Sequence, residues 1–430
     1  MPPASAPPLP HRALIAALAV AMVALLLPAP AADAGGFSRF QHGGRGVAQA
    51  GAFVARADSP FAVTYNPAGI TELDGVQIEG GLDFSNATDE YTTAGGETFR
   101  ADHSIQFPPS VYLTWSDNER LGNWALGLGV DTQTWYRADF DPVFFPRRFF
   151  NRLNELELYQ FHPVIAYRLN EAWSVGGGLR YQFGVTTWGR NQVIEDPDSP
   201  LQAEIFIDSE ADVDGFGADL GVQYRSTLWG FGALYRSKVE LEADDRFTLA
   251  VRDASTPAFE AEVDGILAGA GKSFDVAVDR PAELNFGVWF APYPELRFEV
   301  DLAYVQWSEA RQTFTGPFLI PNPGSLNVDL IEDWDDTLSA RLGVEGDLGD
   351  FLTLSAGLAW EPSPVTATIA SWPRGDALVY AAGASFNYER VRFDLGYSFH
   401  DHDGADEAGA LGGTFTADEQ VWSASARYTF

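Results

Sequence analysis

The sequence contains no cysteine, so disulfide frameworks and thiol chemistry are excluded at the outset. Basic side chains are scarce, with 27 Lys and Arg against 60 Asp and Glu and a formal charge of −33. So acidic a chain has no basic surface for nucleic acid or anionic head groups, and no nucleic-acid partner is expected. Long apolar runs are missing beyond the N-terminal region, where no window reaches the roughly eighteen residues of a spanning helix. Histidines number six, and none lies beside a serine in a G-x-S-x-G context, so neither an enzyme nor a cofactor is expected.

What is present points elsewhere. Aromatic residues make up 13% of the chain, alongside 42 glycines, a composition unlike that of a disordered acidic chain. Length alone allows several soluble domains or one large barrel, and the absence of a composition break after Gly75 favours one. At the N-terminus, His11 and Arg12 precede an apolar run from Ala13 to Leu27, and Ala32-Asp33-Ala34 has the small-x-small pattern of a signal-peptidase site. Residues 1–34 are therefore expected to be a cleaved export signal, with Gly35 as the mature N-terminus.

Residues 35–75 are rich in Gly and Ala and lack strand periodicity. Val47 to Ala57 is expected to make a short helix. Asn66-Pro67-Ala68 has the chemistry of a helix start, with Asn as N-cap and Pro where a missing N–H costs nothing. The segment reads as a compact plug or, alternatively, as a flexible arm.

From Val76 onward period-two alternation dominates, in segments longer than the ordinary strand of about five or six residues. Strands are predicted near 76–88, 106–116, 121–137, 154–169, 171–188, 208–226, 227–246, 276–291, 294–313, 333–348, 350–361, 375–388, 390–401 and 417–430. The last is the clearest: Trp422, Ala424, Ala426, Tyr428 and Phe430 share one face, and Ser423, Ser425, Arg427 and Thr429 the other. A soluble sandwich also alternates. Here, however, short connections such as Asn170, Ser226, Gly349 and Glu389 interleave with long ones at 189–207, 247–275 and 314–332. Such segregation, with an even strand count, is the pattern of an outer-membrane barrel. The fold expected is all-β, a transmembrane antiparallel barrel of about 14 strands over 76–430, with an N-terminal helical hatch in its lumen. Apolar faces then meet lipid, while Glu299, Asp301, Arg341, Glu345, Arg392 and Asp394 form a mixed-charge network inside. Trp135, Tyr136, Trp188, Trp307 and Trp360 are expected in aromatic girdles.

Several motifs carry a family likeness: Tyr65-Asn66-Pro67-Ala68-Gly69, the segments from Ala303 to Glu309, Asp333 to Gly346 and Ala359 to Val365, the Pro373-Arg374-Gly375-Asp376 turn, and terminal Phe430. With the export signal, their order resembles the outer-membrane long-chain fatty acid and hydrocarbon transporters of the FadL/TodX type. The resemblance implies a fourteen-stranded barrel occluded by a hatch, taking up a hydrophobic ligand such as a long-chain fatty acid. It also implies capture at the outer loops, passage to a site beside the hatch, and sideways release by a kinked third strand. A passive porin-like channel or a structural barrel is the alternative function. The expected substrate-binding or gating residues are Phe37, Phe40, Asn66, Pro67 and Ala68.

For the lateral gate, the third strand is expected to bend inward near Gly127, Gly129 and Asp131, where small residues leave the inner face bare. The alternative is that these glycines only make room for the plug. Tyr428 and Phe430 are expected to form the signal read by barrel-assembly machinery. Outer-membrane lipid and lipopolysaccharide are the expected surroundings, and the barrel is expected to be a monomer. No metal is expected: His400-Asp401-His402 reads as a solvated acidic loop. The calcium-like run Glu210, Asp212, Asp214 and Gly215 has Gly221 where a bidentate Glu is needed.

Overall fold

The computed structural model describes residues 36, 37, 39, 41–102, 104–117, 119–149, 151–196, 198–269, 273–318, 324–331, 334–365, 375–407 and 412–430. The expected export signal, Phe40, Pro373 and Arg374 lie outside them. Within them, fourteen antiparallel wall strands follow in chain order. They are β1 (Gly75–Thr93), β2 (Pro109–Ser116), β3 (Trp124–Asp139), β4 (Leu153–Arg168), β5 (Trp173–Glu195), β6 (Gln202–Arg225) and β7 (Trp229–Arg236, continuing as Val239–Arg246). Then come β8 (Ser273–Arg280 and Glu283–Tyr293), β9 (Leu296–Val305 and Arg311–Phe318), β10 (Thr337–Leu348), β11 (Leu352–Glu361), β12 (Ala377–Tyr388), β13 (Val391–Glu407) and β14 (Gly413–Thr429). Each pairs with the next, and β14 pairs with β1 from Gln77↔Thr429 to Thr93↔Gly413. That seam closes the sheet and leaves no edge strand, the condition for crossing hydrocarbon with strands.

Alternation in sequence becomes two chemical surfaces. Val300, Leu302, Leu338, Leu342, Phe393, Leu395, Trp422, Tyr428 and Phe430 are exposed on the outer wall, whereas Glu299, Asp301, Ser339, Arg341, Glu345, Asp394, Ser423 and Ser425 are buried within. Of the residues expected in girdles, Trp360 does face outward. Trp188, Trp307 and Tyr136 are instead buried in an apolar cluster inside the wall, because they fall on the inward half of the alternation.

The long connections are partly ordered extensions of the wall. The expected loop 189–207 is a continuation of β5 and β6, paired as far as Glu195↔Gln202. Between β7 and β8, Thr248–Ala254 pairs with β6 and the helix Pro257–Gly269 buries Phe259, Val263 and Leu267. These additions carry the barrel well beyond the membrane at the long-loop end.

The N-terminal segment fills the lumen. Its helix is Gly43–Ala48, not the expected 47–57. Ala50 and Gly51 have φ of 51° and 81°, which ends the helix, and the next N–H groups are taken by the wall. Phe53 and Val54 donate to the Asp301 carboxylate at 2.8 and 2.9 Å, and Ala55 and Arg56 to Glu299 at 2.7 and 3.1 Å. Two short helical turns, Ala62–Tyr65 and Pro67–Glu72, complete the segment before β1.

Candidate functional site

The lower lumen is locked by charge. Arg45 donates to Glu345 from Nε at 2.7 Å and from Nη2 at 2.9 Å, and pairs with Asp58 at 2.5 Å. Arg56 Nε meets Glu299 at 2.9 Å, and Gln223 Nε2 donates to the carbonyls of Ala55 and Arg56 at 2.8 Å each. Bonds to ionised groups in a dry interior are stronger than neutral ones, and here they run from the plug to β9 and β10, while the Gln223 amide ties it to β6. The lumen-facing charges thus form the packed mixed-sign network expected from the sequence. Among the described residues a void of ≈ 10 Å³ lies beside His42, Tyr65 and Arg341, room for about one water. Burial lowers the pKa of His42 from 6.5 to about 3, against the pull of Asp131.

Close approach to the wall explains the glycines. A Cβ on Gly221 would meet Asn66 Oδ1 at 2.2 Å, and one on Gly176 would meet the Pro67 backbone at 2.6 Å. Asn66 caps the following turn by accepting from Ala68 N at 3.2 Å, and its Nδ2 donates to Val54 O and Val222 O at 3.1 Å each. Asn66, Pro67 and Ala68 therefore sit in the wall contact of the plug. They do not line the apolar cluster, because the glycine-bearing strands β5 and β6 let this turn close against them. Gly127 and Gly129 serve the same fit: Cβ atoms there would meet Val63 side-chain carbons at 2.8 and 3.0 Å.

Above the plug the lumen turns apolar. Phe37 packs edge-on to Trp307 with ring centroids 4.9 Å apart, and Trp307 lies 5.4 Å from Trp334. Tyr91, Phe140, Phe145 and Phe415 continue the same cluster, with Phe140 stacked on Phe145 at 4.2 Å. Of the ligand-site residues predicted in the plug, Phe37 alone among those described belongs here.

The wall beside this cluster is interrupted. The β2–β3 ladder runs without a break from Ser116↔Ala125 to Ser110↔Asp131 and stops. Gly127 and Gly129 lie inside the regular ladder, opposite Thr114 and Tyr112, so the expected bend is not at them. It falls just beyond Asp131. Residues Asp131, Thr132, Gln133 and Thr134 are all buried, four in a row where alternation allows one in two, and a bulge between Thr132 and Thr134 leaves Gln133 unpaired with β4. The added residue turns the strand inward.

Opposite the bend stands Phe107-Pro108-Pro109. The Pro109 carbonyl faces β3, where Thr132 Oγ1 donates to it at 3.3 Å. Its nitrogen carries no hydrogen to continue the ladder. Meanwhile Ser104–Gln106 still pairs with β1, and among the described residues backbone pairing between the two banks resumes at the Ala101↔Phe140 bridge, where Asp102 N donates to Asp139 O at 2.6 Å. The gap is thus bounded by Ser110/Asp131 below and Ala101/Phe140 above. Thr134 Oγ1, on its inner bank, donates to the Phe37 carbonyl at 3.0 Å, which places the start of the plug at the opening. The two prolines were the signal in the sequence for this interruption, since a central strand does not carry proline where a donor is needed.

The chain is matched over residues 25–430 by the family model described as outer membrane protein transport protein (OMPP1/FadL/TodX). The long-chain fatty acid transport protein of Escherichia coli K12 is 22% identical over 423 residues, covering 90% of this chain and 92% of that one. Among solved structures, a Pseudomonas aeruginosa FadL homologue superposes with a TM-score of 0.77 at 19% identity, covering 92% of this chain and 100% of the other. The Pseudomonas putida toluene transporter TodX gives 0.67 at 17% identity, covering 91% and 99%. Closed barrel, filled lumen and matched family agree: this chain belongs to the OMPP1/FadL/TodX family of outer-membrane transport proteins.

Proposed function

We propose that the protein admits hydrophobic small molecules, long-chain fatty acids or related hydrocarbons, across the outer membrane and releases them sideways into the bilayer. The observation that carries this reading is the gap between β2 and β3 beside the aromatic cluster around Phe37. An apolar solute entering from the long-loop end is held by that cluster above the plug. Leaving through the wall keeps it out of water, which is favourable by about 0.8 kcal/mol per CH₂ group. Phe37 acts at the ligand and the gate, whereas Asn66, Pro67 and Ala68 hold the plug to the wall. The gate itself lies at residues 131–134 and 107–109, with Gly127 and Gly129 seating the plug beneath it.

On this reading residues 1–34 are the export signal, 35–75 the plug and 76–430 the barrel. The barrel works as a monomer among outer-membrane lipid and lipopolysaccharide, and Tyr428 with Phe430 is presented to the assembly machinery. The role is transport without catalysis. Ser398 Oγ does lie 3.1 Å from His400 Nε2, but its proton goes to Gln41 Oε1 at 2.9 Å. A porin-like channel requires an open aqueous path, and the charge-locked plug opposes it.

The gap is tested by sealing it. Because the chain has no cysteine, F107C and W135C introduce the sole pair, on the outward faces of the two banks and opposite one another once the extra residue of the bulge is counted. Oxidation should abolish uptake of labelled oleate by cells, and reduction should restore it. Undiminished uptake through the sealed wall would overturn lateral release.

A further inference from the structure

His400-Asp401-His402 reads from sequence as part of a solvated loop, but β13 continues through it to Glu407. Alternation then sets His400 and His402 on one face of a strand, and that face is the lumen: His402 is buried and Asp401 is exposed on the other side. The two imidazoles lie nearly parallel, 17° apart, with centroids at 6.3 Å. In the neighbouring strand Glu419 stands directly opposite His400. One donor atom from each of His400, His402 and Glu419 falls within 4.8 Å of the others.

We propose that these three side chains bind a divalent first-row transition ion of the zinc class. Two imidazoles and one carboxylate are the donor set such ions take with three protein ligands and an open fourth position. Calcium and magnesium, which require oxygen donors, do not suit it. Bond lengths of about 2.0–2.2 Å place tetrahedral donors about 3.4 Å apart, so side-chain rotation closes the site. Its surroundings orient the ligands. Ser85 Oγ donates to Glu419 Oε1 at 2.5 Å, which holds the carboxylate in place. His400 Nε2 lies 3.1 Å from Ser398 Oγ and 3.4 Å from Gln41 Nε2, and such outer contacts set ring orientation and tautomer. Through Gln41 the site also touches the first residues of the plug.

The test is a titration of the full barrel in detergent, purified without a polyhistidine tag, with Co²⁺ as the visible probe and Zn²⁺ as competitor. One equivalent of Co²⁺ should give the intense absorption of a low-coordinate site, removed by one equivalent of Zn²⁺. His400→Ala, His402→Ala and Glu419→Gln should each weaken binding at least about tenfold. Asp401→Asn, on the opposite face, should stay within about twofold. Heat-modifiable gel mobility establishes that each variant is a folded barrel. Absence of the one-equivalent signal in the unmutated protein would overturn the site, as would unchanged binding in a folded His400→Ala/His402→Ala double variant. Neither result depends on transport.

Discussion

His42 is a single buried imidazole whose protonation works against the plug. The backbone N–H of His42 donates to Tyr65 Oη at 2.9 Å, and the ring is held neutral by burial, with Arg39 and Arg236 adding to the effect and Asp131 opposing it. The folded pKa of about 3 lies below the unfolded 6.5, so the unfolded plug binds the extra proton. Stability from this residue is complete above pH 6.5 and falls as pH drops towards 3, by about 1.4 kcal/mol per pH unit. Ion leakage through the purified barrel in planar bilayers should therefore rise from pH 6.5 to 4.5, and less steeply in His42→Asn. Asn66→Ala should act at any pH. It removes the cap and leaves the Val54 and Val222 carbonyls without their shared donor, a local cost of about 2–4 kcal/mol. Hydrogen exchange should quicken across residues 54–70 while wall strands keep their protection. The Asn66 cap was legible in the sequence because its partner is two residues away. The glycines were not: an inward glycine looks the same whether it opens a gate or seats a plug, and only the position of Val63 decides between them.

Among the elements, β3 carries the consequence most open to test. Deleting Gln133 removes the extra residue of the bulge and restores alternation from Asp131 onward. The variant should insert and resist heating like the parent, and fatty acid or hydrocarbon uptake should fall at least about tenfold. Normal uptake would detach the bulge from the exit. Pro109→Val returns one backbone donor on the side that faces β3, and should reduce uptake less than the deletion, since the bulge remains. Much of the element scale was legible: all fourteen predicted strand positions coincide with wall strands. The extensions of β5 and β6 were hidden, because beyond the membrane their outer faces meet water and the apolar contrast fades. The interruption at 107–109 was legible in principle, yet the alternation of the flanking residues carries straight across it.

For the whole molecule, closure depends on β14, whose outer face ends in Tyr428 and Phe430 with rings 4.8 Å apart. Phe430 N also donates to Val76 O at 3.0 Å across the seam. Deleting Phe430 should sharply lower the amount of heat-modifiable protein in outer-membrane fractions, whereas Thr429→Ser should leave it nearly unchanged. Equal amounts would separate the terminal aromatic from assembly. The barrel was the most legible feature of the sequence because strand length, alternation and the spacing of turns all report on it. The arrangement inside was the least, because the contacts between plug and wall join residues distant in sequence, as far apart as Arg45 and Glu345.

The plug is fastened to the barrel at one end by a very short link. Only Leu73 and Asp74 separate its last helical turn from Gly75, the first residue of β1. An extended chain reaches at most about 3.5 Å per residue, so Ile70 stays within about 18 Å of that hinge, whereas Phe37 has nearly forty residues of slack behind it. The covalent anchor is therefore at the short-turn rim, and what holds the middle of the plug against the wall is the set of bonds to Glu299, Asp301 and Glu345. On the proposed reading, a ligand at Phe37 meets the residues ahead of that lock, which are the farthest along the chain from the tether. Were those bonds lost, the plug would stay attached to the barrel like a door on its hinge with the latch lifted.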